Sequence, residues 1–161
     1  MVRVIANVSR HEALVTSFER IYLYTDGGSR PNPGAGAIGV VVCCAEDKPL
    51  YEFSKAIGRS TNNQAEYRAH IRGLEICRRY RPTTVTARAD SELLMRQLAG
   101  RYKVKDLELR QLFQVAKENA REFGTVHYQH VPRTNRWIVR ADQLANEARD
   151  GHVVDRQIVE P

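Results

Sequence analysis

The chain has 161 residues, 42% hydrophobic and 27% charged, the composition of one globular domain with a buried core rather than of a disordered or fibrous chain. Lys and Arg number 25 against 19 Asp and Glu, a formal net charge of +6, which suits a polyanionic partner without proving one. No apolar run reaches membrane length, no secretory signal is visible, and three cysteines make no disulfide framework, so the expectation is a cytoplasmic protein with no membrane partner.

Residues 1–19 are mixed and poorly periodic and read as an N-terminal extension, either adding a strand or staying mobile. The core domain, 20–149, opens with Ile21-Tyr22-Leu23-Tyr24-Thr25-Asp26, a strand whose Tyr22, Tyr24 and Asp26 face one way and whose Ile21, Leu23 and Thr25 face the other. Two prolines and two glycines make Arg30 to Gly36 a loop. Ala37 to Cys44 follows as a buried strand, in which the adjacent Cys43 and Cys44 point to opposite faces. Glu46-Asp47-Lys48-Pro49 is a turn, and Leu50 to Ile57 a third strand, so the first three strands form an antiparallel meander.

Thr61-Asn62-Asn63 supplies cap residues for a helix running to about Tyr80, with a buried stripe of Ala65, Glu66, Ala69, Gly73, Ile76, Cys77 and Tyr80. Gly73 in mid-helix costs about 1 kcal/mol against Ala, which predicts close approach of the helix to the sheet. Val85 to Ala89 is a fourth strand, Ser91–Leu98 and Leu107–Glu122 are helical, Thr125 to Val131 is a fifth strand and Arg140 to Arg149 a last helix. The order predicts an α/β fold, a mixed five-stranded sheet with helices on its faces. Residues 150–161 form a tail with no assigned place.

Asp26 and Asp90 end strands, Glu66 lies on the inner face near a helix start, and Asp142 opens the last helical pattern. Carboxylates gathered at such positions repel one another unless a cation joins them. Hard oxygen donors without a His/Cys cluster point to Mg²⁺ or Mn²⁺, and so to metal-assisted phosphoryl transfer. Gly27 and Gly28, just after Asp26, let backbone come close to a ligand; a plain glycine turn is the alternative.

Four blocks carry a resemblance. They are Thr25-Asp26-Gly27-Gly28-Ser29 with the valine-rich strand after it, Thr61-Asn62-Asn63-Gln64-Ala65-Glu66, Ala89-Asp90-Ser91, and Ala141-Asp142-Gln143-Leu144-Ala145-Asn146. In this order, over roughly residues 20–149, they resemble the type 1 ribonuclease H family. The resemblance implies that family's sheet, three antiparallel strands then two parallel, with helices on both faces. It implies a monomeric endonuclease that cuts the RNA strand of an RNA–DNA hybrid to 5′-phosphate and 3′-hydroxyl ends. Asp26, Glu66, Asp90 and Asp142 would hold two Mg²⁺ ions, with Mn²⁺ as a substitute. Gly27, Asn32, Asn62, Asn63 and Gln64 would touch the hybrid, the amides reading sugar 2′-hydroxyls and base edges.

The chain departs from the family in three places. Many relatives carry a His in the loop before the fourth acid. Pro132 to Val139 has none, and His130 ends the strand before it, which leaves Arg133 or Arg136 to face the scissile region. That loop also reads as about two residues longer than usual. Where many bacterial relatives have a basic helical protrusion, only a short run with Arg101, Lys103 and Lys105 is present. The competing readings are a non-catalytic hybrid-binding module, against which all four acids speak, and a related DNA nuclease, against which Asn62-Asn63-Gln64 speaks.

Overall fold

The computed structural model describes residues 2–5, 15–45 and 47–161. The expected extension over residues 1–19 falls partly on residues 6–14, and the expected turn at 46–49 includes Glu46; these lie outside the described residues. At the N-terminus, β1 (Val2–Ile5) and β2 (Val15–Phe18) pair antiparallel as a two-stranded unit.

The main sheet is built from β3 (Arg20–Arg30), β4 (Gly34–Cys44), β5 (Pro49–Ser60), β6 (Thr84–Ala89), β7 (Thr125–His130) and β8 (Asp155–Gln157). Their order across the sheet is β7-β6-β3-β4-β5-β8. β3, β4 and β5 form the expected antiparallel meander, and β6 and β7 add in parallel to its inner edge. Among the described residues the sheet has six strands rather than five. The extra one comes from the tail, where Asp155–Gln157 pairs with Tyr51–Phe53 on the outer edge of β5. A three-residue strand carries too little periodicity to be read from sequence. Its partners lie elsewhere: Val154 N donates to Ser54 Oγ at 2.8 Å, and Tyr80 Oη donates to the Val159 carbonyl at 2.7 Å.

The loop expected over Arg30–Gly36 is much shorter. β3 and β4 stay paired out to Arg30 and Ala35, leaving only Pro31-Asn32-Pro33 as the turn. The glycines that suggested a loop instead serve the ladder and its close neighbours.

Among the described residues four helices cover the sheet: α1 (Asn62–Arg78), α2 (Glu92–Leu98), α3 (Leu107–Ala120) and α4 (Arg136–Arg149). α1 starts at a full capping box, in which Thr61 accepts from Gln64 N and Gln64 returns the bond to Thr61 N. On one face of the sheet α1 packs on Ile21, Leu23, Val40, Val42 and Cys44. A Cβ at Gly73 would stand 2.5 Å from Leu23 Cδ1, so the close approach expected there is real. The helix is buried more widely than one stripe: Tyr67, His70, Ile71 and Leu74 are covered too, because α2 and α3 close over its second side. On the other face α4 packs on Tyr24, Val41 and Cys43. Cys43 and Cys44 thus point to opposite faces as expected, and all three cysteines are buried.

α4 begins at Arg136 rather than Arg140. Asn135 caps it, its Oδ1 accepting from Trp137 N and Ile138 N, so half of the expected loop is the first turn of the helix. Trp137 is buried in that turn and its Nε1 donates to Asp47 at 2.8 Å. Asp142 therefore sits a turn and more into the helix and does not open it. Among the described residues no helix is long and apolar enough to cross a membrane.

Candidate active site

Two glycines on opposite faces of the sheet bring the acids together. Gly27 faces α1: a Cβ there would stand 2.3 Å from the Ala65 carbonyl oxygen. Gly39, paired with Asp26 across the β3–β4 ladder, faces α4, where a Cβ would stand 1.9 Å from the Ala141 carbonyl oxygen. No side chain fits at either point, so both helices lie directly on the strands. The first contact sets Glu66 beside Asp26, and the second sets Asp142 there. Asp90 arrives from the end of β6, which runs parallel to β3.

One carboxylate oxygen from each of Asp26, Glu66 and Asp90 lies within 4.8 Å of the other two. Asp142 is outside that tight set, on the exposed side of α4, but its carboxyl comes within hydrogen-bonding reach of Asp26 and lines the same cleft of about 380 Å³. Gly27, Asn62 and Arg133 line the cleft as well. Arg133 is highly exposed and its Nε lies 3.4 Å from Asp90 Oδ2.

The electrostatics are those of acids held together with one exposed counter-charge, Arg133. Burial, then the hydrogen bond that protonated Asp26 donates to Asp142, then the charges of Asp90 and Asp142, push the Asp26 carboxyl up to about 8. Burial and the charges of Asp26 and Asp90 push Glu66 well above the usual carboxylate range. Arg133 opposes both shifts and does not cancel them. Glu66 Oε2 is buried with no hydrogen-bond partner among the described residues. An orphaned carboxylate oxygen facing two further carboxylates fits a hard divalent cation, because the cation would supply the missing partner and neutralise the repulsion.

The amide residues take a second position. Asn32, Asn63 and Gln64 line a groove that shares Asn62 with the cleft and is walled by the N-terminus of α3. Asn62 Oδ1 accepts from Ser29 N at 2.9 Å and Ser29 Oγ at 3.2 Å, and Asn32 Oδ1 accepts from Asn62 N at 3.1 Å. Gln64 is the most committed: its Oε1 closes the capping box and its Nε2 donates to Glu108.

Residues 24–148 match the Reverse transcriptase-like family. A ribonuclease HI from Halobacterium salinarum is 42% identical over 81% of this chain. The chain belongs to the type 1 ribonuclease H family. A bifunctional protein from Mycobacterium tuberculosis is 41% identical over 81% of the chain. Among solved structures, LC11-RNase H1 in complex with RNA/DNA hybrid is 41% identical, with a TM-score of 0.77 over 81% of this chain and 97% of that one. The chain spans 36% of the Mycobacterium protein and 65% of the Halobacterium enzyme.

Three residues of this ribonuclease H site went unread in the sequence. Ser29 fixes the Asn62 amide. Asn146 donates to Asp142 Oδ2 at 3.3 Å, and Arg149 reaches back over the hairpin to Gly28 and Ala35. The last two sit at helical spacing from Asp142, a pattern that could have flagged them. Conversely, His130 only places Nε2 at 3.2 Å from the Asp90 backbone carbonyl.

Proposed function

We propose that this chain is a divalent-cation-dependent endonuclease that hydrolyses the RNA strand of RNA–DNA hybrids, leaving 5′-phosphate and 3′-hydroxyl ends. The convergence of Asp26, Glu66 and Asp90 beside a strip of asparagines carries the reading. The hybrid bound to LC11-RNase H1 supports the choice of partner.

Asp26, Glu66, Asp90 and Asp142 would hold two Mg²⁺ ions, or Mn²⁺ in their place. Such ions, when bound, compensate charge at a scissile phosphate and lower the pKa of nearby water. The protein's own residues do the rest. Asn62 has its Oδ1 tied to Ser29, which leaves its Nδ2 hydrogens to donate toward a sugar 2′-hydroxyl. Asn32 is oriented the same way by its bond from Asn62 N. Asn63 completes the strip, while Gln64 chiefly holds the helix start in place. Gly27 lines the cleft, so its backbone would meet the substrate, while its missing Cβ admits α1. Arg133, highly exposed and beside Asp90, would meet a phosphate. Three buried cysteines suit a reducing compartment, so cytoplasmic action belongs to the same proposal, and the family resemblance adds a monomer to it.

The test uses end-labelled RNA–DNA, RNA–RNA and DNA–DNA duplexes with Mg²⁺ and with EDTA. Only the hybrid should be cut, only with the cation, and with 3′-hydroxyl products. Cleavage in EDTA, 2′,3′-cyclic phosphate ends, or an intact hybrid would overturn the reading.

A further inference from the structure

Arg149 lies at the end of α4, in the wall of the cleft, with its guanidinium committed on three sides. Nε donates to the Ala35 carbonyl at 3.0 Å, Nη2 to the Gly28 carbonyl at 3.0 Å, and Nη1 to Asn146 Oδ1 at 2.8 Å. Asn146 in turn donates from Nδ2 to Asp142 Oδ2 at 3.3 Å. The chain of contacts runs from the strand just beyond Asp26, through one arginine and one amide, to the fourth acid.

We propose that Arg149 is a positioning residue that fixes the Asp142 carboxylate through Asn146. The argument turns on the polarity of an amide. A carboxylate accepts hydrogen bonds and cannot donate them when ionised, so Asn146 supports Asp142 only with its NH₂ end. Arg149 offers donors alone, so it attracts the Oδ1 end of the same amide. With the arginine in place the amide has one favourable orientation, and that orientation presents Nδ2 to Asp142. Without it the amide can flip and set oxygen against oxygen. Asp142 is exposed, and it also faces Asp26, a carboxyl that repels it once both are ionised. A lysine would not replace the arginine, since a single ammonium cannot span two backbone carbonyls and an amide in one plane.

This inference rests on Asp142 being a metal ligand, as proposed above. Partners that orient a ligating carboxylate typically change metal affinity by roughly 10–100-fold when removed. Isothermal titration of Mg²⁺ into the substrate-free protein reads this directly. Asn146→Ala, which leaves both arginine bonds to the hairpin in place, should weaken Mg²⁺ binding roughly tenfold with little change in melting temperature. Arg149→Ala should weaken it as much and Arg149→Lys should not restore it. In an Asp142→Asn background neither substitution should weaken Mg²⁺ binding further. Unchanged Mg²⁺ affinity in Asn146→Ala, or losses that add to that of Asp142→Asn, would overturn the proposal and leave Arg149 as a clamp on the hairpin. Absence of Mg²⁺ binding by the wild type would overturn this and the metal reading together. A wild type that binds Mg²⁺ but cuts no hybrid would remove the nuclease reading alone and leave these results standing.

Discussion

Gly39 sits directly opposite Asp26 in the β3–β4 ladder, and the point where its Cβ would be lies 1.9 Å from the Ala141 carbonyl oxygen. The residue that faces the first acid thus decides how near the fourth can come. The obstructing atom is helix backbone, so it cannot swing aside as a side chain would. Gly39→Ala should lift α4 from the sheet, cost about 1–3 kcal/mol in stability, and lower hybrid cleavage more than hybrid binding. Thermal melts together with separate kcat and KM values check this. A variant of wild-type stability and rate would show that α4 is not held at that distance.

The acids should weaken the metal-free fold as pH rises. Asp26 and Glu66 both bind protons more tightly folded than unfolded, Asp26 with a folded value of about 8. The stabilising contribution of Asp26 is therefore complete below the usual carboxylate range near 4 and is lost as pH climbs through about 8; that of Glu66 is lost in the same direction. Asp26→Asn should abolish cleavage and, in EDTA at pH 8, raise the melting temperature by about 2–4 °C for each kcal/mol relieved. Mg²⁺ should stabilise the wild type more than the variant, because a ligand of the folded state adds stability by mass action. A variant that melts lower at pH 8 and still cuts would make Asp26 a structural cap.

The antiparallel meander and the places of three acids were legible because each depends on local signals: alternation along β3, cap residues at Thr61 and Asn62, an acid at the end of β6. What was not legible came from contacts distant in sequence. β8 exists because Tyr51–Phe53 offers it an edge. The start of α4 depends on Asn135 turning its side chain to two backbone N–H groups, which prolonged loop reading hid. The wide burial of α1 follows from α3 folding back over it, and no periodicity within α1 announces that. The role of Arg149 needed Gly28, Ala35 and Asn146 in view at once.

The tail strand and α4 are joined through one buried acid. Glu52, 7% exposed at its side chain, accepts from Arg140 at 2.6 Å and from Arg156 at 2.8 Å. Arg140 is 29% exposed and Arg156 59%, so the two are not equal. Arg140→Ala should cost about 1–3 kcal/mol, since it strips the better-shielded partner from a buried charge. Arg156→Ala should cost under about 1 kcal/mol. Urea denaturation of the two variants decides; equal losses would mean that β8, not the shielding, sets the strength of the pair.

Hybrid binding should depend on salt less steeply than in relatives with a full basic protrusion. Arg101, Lys103 and Lys105 are exposed on a loop between α2 and α3. The slope of log K against log salt scales with the phosphates neutralised, about 0.9 for each. Replacing Lys103 and Lys105 together by Ala should reduce the slope by up to about 2 and leave turnover at saturating hybrid nearly intact. An unchanged slope in filter-binding titrations would make the run a solvated face.

His70 should be a liability in acid. It is fully buried on α1, 5.8 Å from the Tyr128 ring, and neither ring nitrogen has a hydrogen-bond partner among the described residues. Burial, aided by the charge of Lys117, holds it neutral down to about 3. Unfolded histidine takes up a proton near 6.5. Between those values the unfolded chain binds more protons than the folded one, so stability falls as pH drops from about 6.5 toward 3. His70→Leu, of similar bulk, removes both the titration and the unpaired nitrogens, whose burial costs about 1–3 kcal/mol when unsatisfied. The variant should match or exceed the wild type in melting temperature at pH 7 and exceed it by more at pH 5. It should leave hybrid cleavage nearly unchanged, since His70, one helical turn beyond Glu66, does not line the cleft. A variant less stable at both pH values would mean that the imidazole nitrogens find partners in solution, a buried water being the simplest.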